Sequence, residues 1–497
     1  MAWPESRLRR WLLGLGVFAI VWGARLVVID RYGSDLPKWD QWSAEGEALF
    51  VPFQHDQLPW SALVRPHNEH RILFTRVLAL GLFAANGRWD ARLECVANAT
   101  LPALLAAWLC LWGAPLLAPR WRLAWPALVV GLMAPPIAWD NVLSGFHSQQ
   151  YFLVAFSLGA FALLETPALS LRWWFAAAAA FCALCSMGSG LLAPLAVLAV
   201  LLLTSRGIRD IRIAAPALTV CTAAVALGVA LQFSIATSPA LHAHSVGEYL
   251  ATATKYLAWP FARYPGHTSW WFMPIFFLAW LPWSWLTLRL WRRRTAGSGE
   301  RAVCAAGLWA LLQIAASAFA RGAGAPDPAS RYVDNLVVGV GANALAFLLL
   351  ARACAFDRPP RPLLARLAFA GVALAITGLG VHTTYQMLYR LPLNRQLSRN
   401  YESNVRAYLA SGDTSVITGA GRVVPHTDPA ALLRDLDQPD LRSILPASVQ
   451  PAATRAGPLS RFARIAAVLG PIVILIGLLL VVAAIAPARP RPDSLPA

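Results

Sequence analysis

Charge is scarce in this chain. Of its 497 residues, 13% are Asp, Glu, Lys or Arg and 58% are hydrophobic, with a mean hydropathy of +0.53. So little charge cannot cover the surface of a soluble fold of this length, which excludes an ordinary water-soluble protein and predicts a polytopic membrane protein. Cysteine is missing from the large polar loops: Cys95, Cys110, Cys182, Cys185, Cys221, Cys304 and Cys354 all lie in or beside apolar runs. That placement argues against a structural disulfide and reads Cys182-x-x-Cys185 as helix packing rather than a metal or redox pair. A Gly-rich phosphate loop, a heptad run and an internal repeat are also lacking, so no soluble nucleotide-sugar domain is expected and a nucleotide donor is disfavoured. The net charge of +17 comes from basic residues, nearly all Arg, in short clusters between apolar runs. Such clusters fit topology signals and contacts with anionic membrane lipids, and they exclude nucleic acid as a partner.

What is present is a series of apolar segments. Arg7, Arg9 and Arg10 precede an apolar run from Trp11 to Ile29 that has no clear small-residue cleavage site. This predicts an uncleaved first span with a cytoplasmic N-terminus. The run from Ile72 to Ala85 contains Arg76 and is about fourteen residues long, short of the roughly twenty that a spanning helix needs. With that run left out, spans are expected near 93–117, 124–139, 150–165, 173–187, 190–204, 213–235, 271–291, 302–320, 334–352, 366–384 and 464–486. The Arg-rich connectors then all fall on the cytoplasmic side, as the positive-inside rule requires. The expected fold is therefore all-α and polytopic, with about twelve transmembrane helices and a surface helix at 72–85 in the first external loop. It divides into a multispan unit at 1–384 with a first external loop at 30–92, a small extracytoplasmic segment at 385–463, and a last span with a cytoplasmic tail at 464–497. Within 385–463, D-P-A-A-L-L-R-D-L-D predicts one short helix with an Asp cap, in what is otherwise a lid or a linker.

The polar side chains collect on the other face. The first external loop carries K-W-D-Q-W-S-A-E-G-E at 38–47 and R-P-H-N-E-H-R at 65–71. The external segments that follow are W-D-N-V-L-S-G-F-H-S-Q-Q at 139–150, a loop with Y-P-G-H near 264–267, and R-G-A-G-A-P-D-P-A-S-R-Y at 321–332. Ionisable groups at a bilayer surface cost desolvation energy, so such clusters are where chemistry is expected. Asp40 between Trp39 and Trp42 reads as a general base with an aromatic platform for a sugar ring, or as an interfacial helix cap. His67, Glu69, His70 and Arg71 read as the first turn of the surface helix. Three apart on one face, His67 and His70 would then bind a phosphate or a divalent ion together; H-N-E-H lacks the H-E-x-x-H spacing of zinc proteases. Asp140, His147 and Gln150 read as lining of a polar cavity, and Arg331 with Tyr332 as the lipid-phosphate site, since guanidinium forks suit phosphate oxygens. Arg263 and His267 are weaker substrate-binding candidates.

The order of a first span, an acid opening the first external loop, a proline-led helix and then G-R-W-D-A-R-L before the second span resembles the C-type glycosyltransferase superfamily, in its lipid A aminoarabinose and protein mannosyltransferase branches. The resemblance implies that Asp40 is the catalytic acid-base residue, 66–85 the juxtamembrane helix and 87–93 the approach to the second span. Gln41 stands where the family has a second acid. The implied activity is inverting transfer of a sugar from a polyprenyl-phosphate donor to a glycan, lipid or protein acceptor outside the bacterial cytoplasmic membrane. A divalent cation, Mg or Mn, is the cofactor it allows, with no protein metal site assigned. Other classes are an O-antigen polymerase or ligase, whose diagnostic loop comes late in the chain, a transporter, for which Arg25, Gln232 and Gln313 are the mid-span candidates, and a non-catalytic membrane protein.

Overall fold

The computed structural model describes residues 6–233, 235, 238–261, 273–293, 296–297, 299–353, 361–450 and 455–486. In chain order the helices of the first half are α1 (Arg7–Tyr32), α2 (Leu73–Asn86), α3 (Ala91–Gly113), α4 (Ala124–Met133), α5 (Ser148–Ala160), α6 (Leu171–Leu184), α7 (Leu192–Thr204) and α8 (Ile208–Gln232). The second half adds α9 (Val246–Leu257), α10 (Met273–Arg292), α11 (Glu300–Ala320), α12 (Val333–Arg352), α13 (Arg361–Tyr385) and α14 (Leu391–Ser411). It ends with α15 (Pro429–Asp437), α16 (Pro439–Ile444), α17 (Pro458–Val468) and α18 (Gly470–Ile485). Among the described residues every regular element is helical, apart from an isolated bridge between His67 and His70.

Among the described residues six helices are long and apolar enough to cross a membrane, or seven if α17 and α18, bent by 60° to one another, count as one span. Several of the other apolar segments are helical but short or broken. Pro135 and Pro136 follow the end of α4, a 3-10 turn over Phe161–Leu164 ends α5, and another over Gly188–Leu191 opens α7. Helix α2 has 14 residues, about 21 Å of rise against a hydrocarbon core of about 30 Å.

The two ends of the chain are joined by close packing. A Cβ on Gly16 of α1 would stand 2.8 Å from the Gly477 carbonyl oxygen of α18, and one on Gly23 would stand 2.8 Å from that of Gly470. Small residues are what allow helix backbones to approach this closely where apolar burial alone gives no preference for a partner. Pairing 16 with 477 and 23 with 470 makes α1 and α18 antiparallel, so the Arg7 end of one lies beside the Ile485 end of the other.

A second core lies beyond the bundle. Helix α13 runs through a π-helical turn at Gln386–Arg390 into α14, giving one helix of 50 residues from Pro362 to Ser411. At about 75 Å it is more than twice the thickness of the hydrocarbon layer, so α14 projects past it. Its sequence is polar on average, yet Tyr401, Val405, Tyr408 and Leu409 recur at helical spacing and are buried. They pack with Leu36, Trp42, Leu49, Phe50, Phe83 and Trp89 of the first loop and with Leu432, Leu436, Leu441 and Ile444 of α15 and α16. Phe50 stacks on Phe83 at 4.4 Å and meets Trp89 edge-on at 5.3 Å. The Asp-capped helix at 429–437 is present, with Asp428 accepting from the Ala430 N–H at 2.9 Å. Residues 391–450 thus do more than the one short helix legible in them: they complete the core of the loop that follows α1.

Candidate active site

The loop leaving α1 is fastened to this outer unit by one carbonyl. Pro425 O accepts the Trp39 backbone N–H at 2.8 Å and the Trp42 indole N–H at 3.1 Å. Trp39 is held at φ 56, a left-handed conformation that costs a bulky non-glycine residue about 1–3 kcal/mol and is kept only where surroundings enforce it. Its ring lies edge-on to Tyr401 at 6.3 Å. Trp42 is fully buried in the aromatic core. This corrects the reading of Trp42 as a sugar platform: hydrophobic burial and its indole hydrogen bond turn it inward, and only Trp39 remains exposed.

The strained turn projects Asp40 outward, with 53% of its side chain exposed. Oδ2 of Asp40 is 3.7 Å from His67 Nε2 and accepts from Asn68 Nδ2 at 3.4 Å. His67 packs edge-on against Phe146 at 5.4 Å. Its ring nitrogen, together with the charges of His147 and Arg331, holds the Asp40 carboxyl below the usual range, against the opposing effect of burial. At 3.7 Å the His67 contact is an ion-pair distance rather than a formed hydrogen bond.

Residues 139–150 and 330–334 are tied together by side-chain hydrogen bonds, two of them to main-chain atoms. Ser330 Oγ accepts the Asp140 N–H at 3.2 Å, and the Asn141 amide donates to Arg331 O at 3.0 Å and to Asp334 Oδ2 at 2.8 Å. Arg331 lies over the Tyr332 ring at 5.1 Å. His147 is pushed below its ordinary value by burial, while Asp140 and Asp40 pull it up. Its Nδ1 and the amide oxygen of buried Gln150 have no hydrogen-bond partner among the described residues. Asp40, His67, Asp140, His147 and Arg331 therefore form one electrostatically connected group, assembled from three distant stretches of chain.

The other candidates in H-N-E-H-R go elsewhere, and the helical reading of them is corrected. His67 N–H donates to His70 O at 2.8 Å and His70 N–H to His67 O at 3.0 Å, closing a tight turn around Asn68 at φ 48. Asn tolerates this left-handed conformation well, and α2 starts only at Leu73, so His67 and His70 share no helical face. Glu69 forms a two-pronged ion pair with Arg321 at 3.1 and 2.5 Å and accepts the Ser238 N–H at 3.3 Å. His70 Nδ1 accepts the Gly188 N–H at 3.2 Å, and burial pushes this imidazole down to about 4. Arg71 donates to Val64 O at 2.8 Å. These three brace neighbouring loops and do not reach Asp40. Arg263 and His267 lie outside the described residues.

Gln41 has a clear structural role. It is buried, and its amide nitrogen donates at 2.8 Å to both Glu45 and Glu94. A carboxylate at this position would supply no donor and would place three buried acids together. Burial pushes Glu45 up to about 7. A Cβ at Gly145 would stand 2.0 Å from Glu94 Oε2, so only glycine lets the turn bearing His147 lie this close to α3. Among the described residues no group of three or more His, Cys, Asp or Glu could hold a metal. The Asp40 carboxylate faces the Arg331 guanidinium and the His67 and His147 rings.

Beneath the group runs an apolar cavity of about 610 Å³. One end carries Arg25, Tyr151 and Asp334, with Arg25 donating to the Tyr151 hydroxyl at 2.7 Å and to Met133 O at 3.2 Å. The other end carries Glu165 and Arg172. Tyr151 and Glu165 are separated by roughly 20 Å along α5 and its 3-10 extension. Sequence reading missed Lys38, whose ammonium faces Asp140, and Arg390 and Asn394 near the Trp139 ring that Arg390 covers. The only local sign is the one-turn spacing of Arg390, Asn394, Ser398 and Glu402 along a polar helix. Comparison with family models, with curated proteins and with solved structures finds no match for this chain.

Proposed function

We propose that this protein is a C-type membrane glycosyltransferase that moves a sugar from a polyprenyl-phosphate donor to an acceptor outside the bacterial cytoplasmic membrane. The observation that carries this reading is the exposed Asp40 carboxylate facing His67, His147 and Arg331 above a long apolar cavity whose near end is polar. Its volume of about 610 Å³ is within the range of small-molecule sites, and its walls suit an isoprenoid chain. In this proposal the chain crosses the bilayer about twelve times, shorter helices crossing with their 3-10 extensions, α2 lies on the outer surface, and the Arg-rich connectors face the cytoplasm.

In the reaction, the acceptor oxygen or nitrogen bonds to the anomeric carbon as the bond from that carbon to the phosphate oxygen breaks. The electron pair stays on the phosphate, facing Arg331 and His147. The acceptor proton passes to Asp40. A carboxylate with a lowered proton affinity is a weak base, which suits a late transfer, after the forming bond has acidified the acceptor. The step inverts the anomeric centre. No part of it is routed through a metal.

The test is analysis of lipid-linked and surface glycans in cells carrying Asp40→Asn beside a clean deletion. Both should lose the same glycan, with transfer by the point variant reduced about 10²–10⁴-fold. Wild-type glycans in the point variant would end the base assignment; unchanged glycans in the deletion strain would end the transferase reading.

A further inference from the structure

Around the start of α14 and the Trp139 ring lies a cluster composed almost wholly of hydrogen-bond donors. Lys38 is buried, with 8% of its surface exposed, and its ammonium has one hydrogen-bond partner among the described residues, the Ser398 hydroxyl at 2.7 Å. An ammonium carries three N–H donors, so a neutral hydroxyl alone leaves it poorly compensated. Arg390 lies over the Trp139 ring at 5.7 Å and makes no hydrogen bond among the described residues; its Nε is buried without a partner. The amide nitrogen of Asn394 is also buried and unpartnered. Arg390, Asn394 and Ser398 follow one another at one-turn intervals, so Asn394 sits between the guanidinium and the hydroxyl that holds Lys38.

No carboxylate is within ion-pair distance of Lys38 or Arg390 among the described residues. The acids that face Lys38 are Asp140 and Glu402, and Glu402 is occupied by the Ser34 hydroxyl at 2.5 Å. Asp140 also acts on His147 and Arg331, so its charge is shared among several neighbours and does not belong to Lys38 alone. Buried donors without acceptors are costly, and an acceptor of negative charge would satisfy these together.

We propose that Lys38, Arg390 and Asn394 form a second anion-binding site, which takes a phosphoryl or carboxylate group. Resting on the transferase reading, its occupant is the acceptor, which is therefore an anionic molecule.

The experiment titrates the full chain in neutral detergent with inorganic phosphate and, separately, with dioctanoyl phosphatidic acid against dioctanoylglycerol. Wild type should bind two phosphoryl groups per chain, while dioctanoylglycerol should not compete with them. Binding of phosphatidic acid at this site with little binding of free phosphate identifies a lipid headgroup as the source; equal binding identifies a free anion. Asn394→Asp places a carboxylate where Lys38 and Arg390 can pair with it, so it should fold and lose one of the two sites, weakening that site about tenfold or more. Arg390→Gln should do the same, and Arg390→Lys should retain part of the affinity. Wild-type binding by Asn394→Asp, or a single site in wild type that Arg331→Gln removes, overturns the proposal while leaving the transferase reading intact. Loss confined to Asn394→Asp, with Arg331→Gln unaffected, sustains this site and instead removes the donor-phosphate assignment.

Discussion

The bundle and the outer unit are held together by different forces. Around α1 and α18 the contacts are between backbones, with glycines 16, 23, 470 and 477 allowing each helix into the other. In the outer unit the contacts are between large rings, Trp42, Phe50, Phe83 and Trp89, roofed by α14. Lipid rewards tight fit because it is as apolar as the side chains it would replace, whereas water rewards the removal of apolar area. The comparison teaches where chemistry can be placed. Strained or exposed polar groups such as Trp39 and Asp40 need a rigid, water-facing support, and the aromatic core supplies it.

The contrast can be broken most severely at Trp42. Trp42→Ala removes the largest ring of the outer core together with its bond to Pro425, and should cost about 3–5 kcal/mol. Limited proteolysis should then cut within 33–90 and 412–450 while the bundle stays intact; equal cutting throughout would show the two regions to be one cooperative body. Gly23→Leu is the converse. Overpacking against α18 should cost about 1–3 kcal/mol and reduce the detergent-stable fraction, with cleavage of the outer unit unchanged at first.

A smaller effect sharpens the comparison through pH. Glu45 is raised to about 7 in the fold from the model-compound value of 4.5, so the folded state holds a proton there that the unfolded chain has released. Its contribution is complete below about 4.5 and is lost as pH rises through about 7. Glu45→Gln keeps an uncharged side chain at every pH. It should match wild type at pH 5 and exceed it at pH 8 by on the order of 2 kcal/mol, followed by thermal unfolding of the full chain. An equal offset at both pH values would show that Glu45 does not titrate in this interval. The smallest effect is expected at Trp39. Trp39→Gly relieves the positive φ but loses the contact with Tyr401, leaving stability within about 1 kcal/mol of wild type, while transfer falls because Asp40 is no longer held. Unchanged transfer would make the strained turn irrelevant to Asp40.

Much of the architecture was legible residue by residue. Apolar runs such as Trp11–Ile29 and 213–235 are long enough to be helices whatever surrounds them, and the Asp428 cap announces its helix within three residues. The polar clusters at 38–47, 139–150 and 321–332 also stand out, because charge is costly beside a membrane. Periodicity is a local property, and so are caps and composition; these the amino-acid order determined alone. Which indole faces water and which enters the core, that His67 turns toward Asp40 while Glu69 turns to Arg321, and that Lys38 meets Ser398, were decided only in the tertiary structure. The physical reason is that each depends on which partner lies across a gap of up to several hundred residues. A short side chain gains its hydrogen bond or loses its water only when that distant segment has arrived.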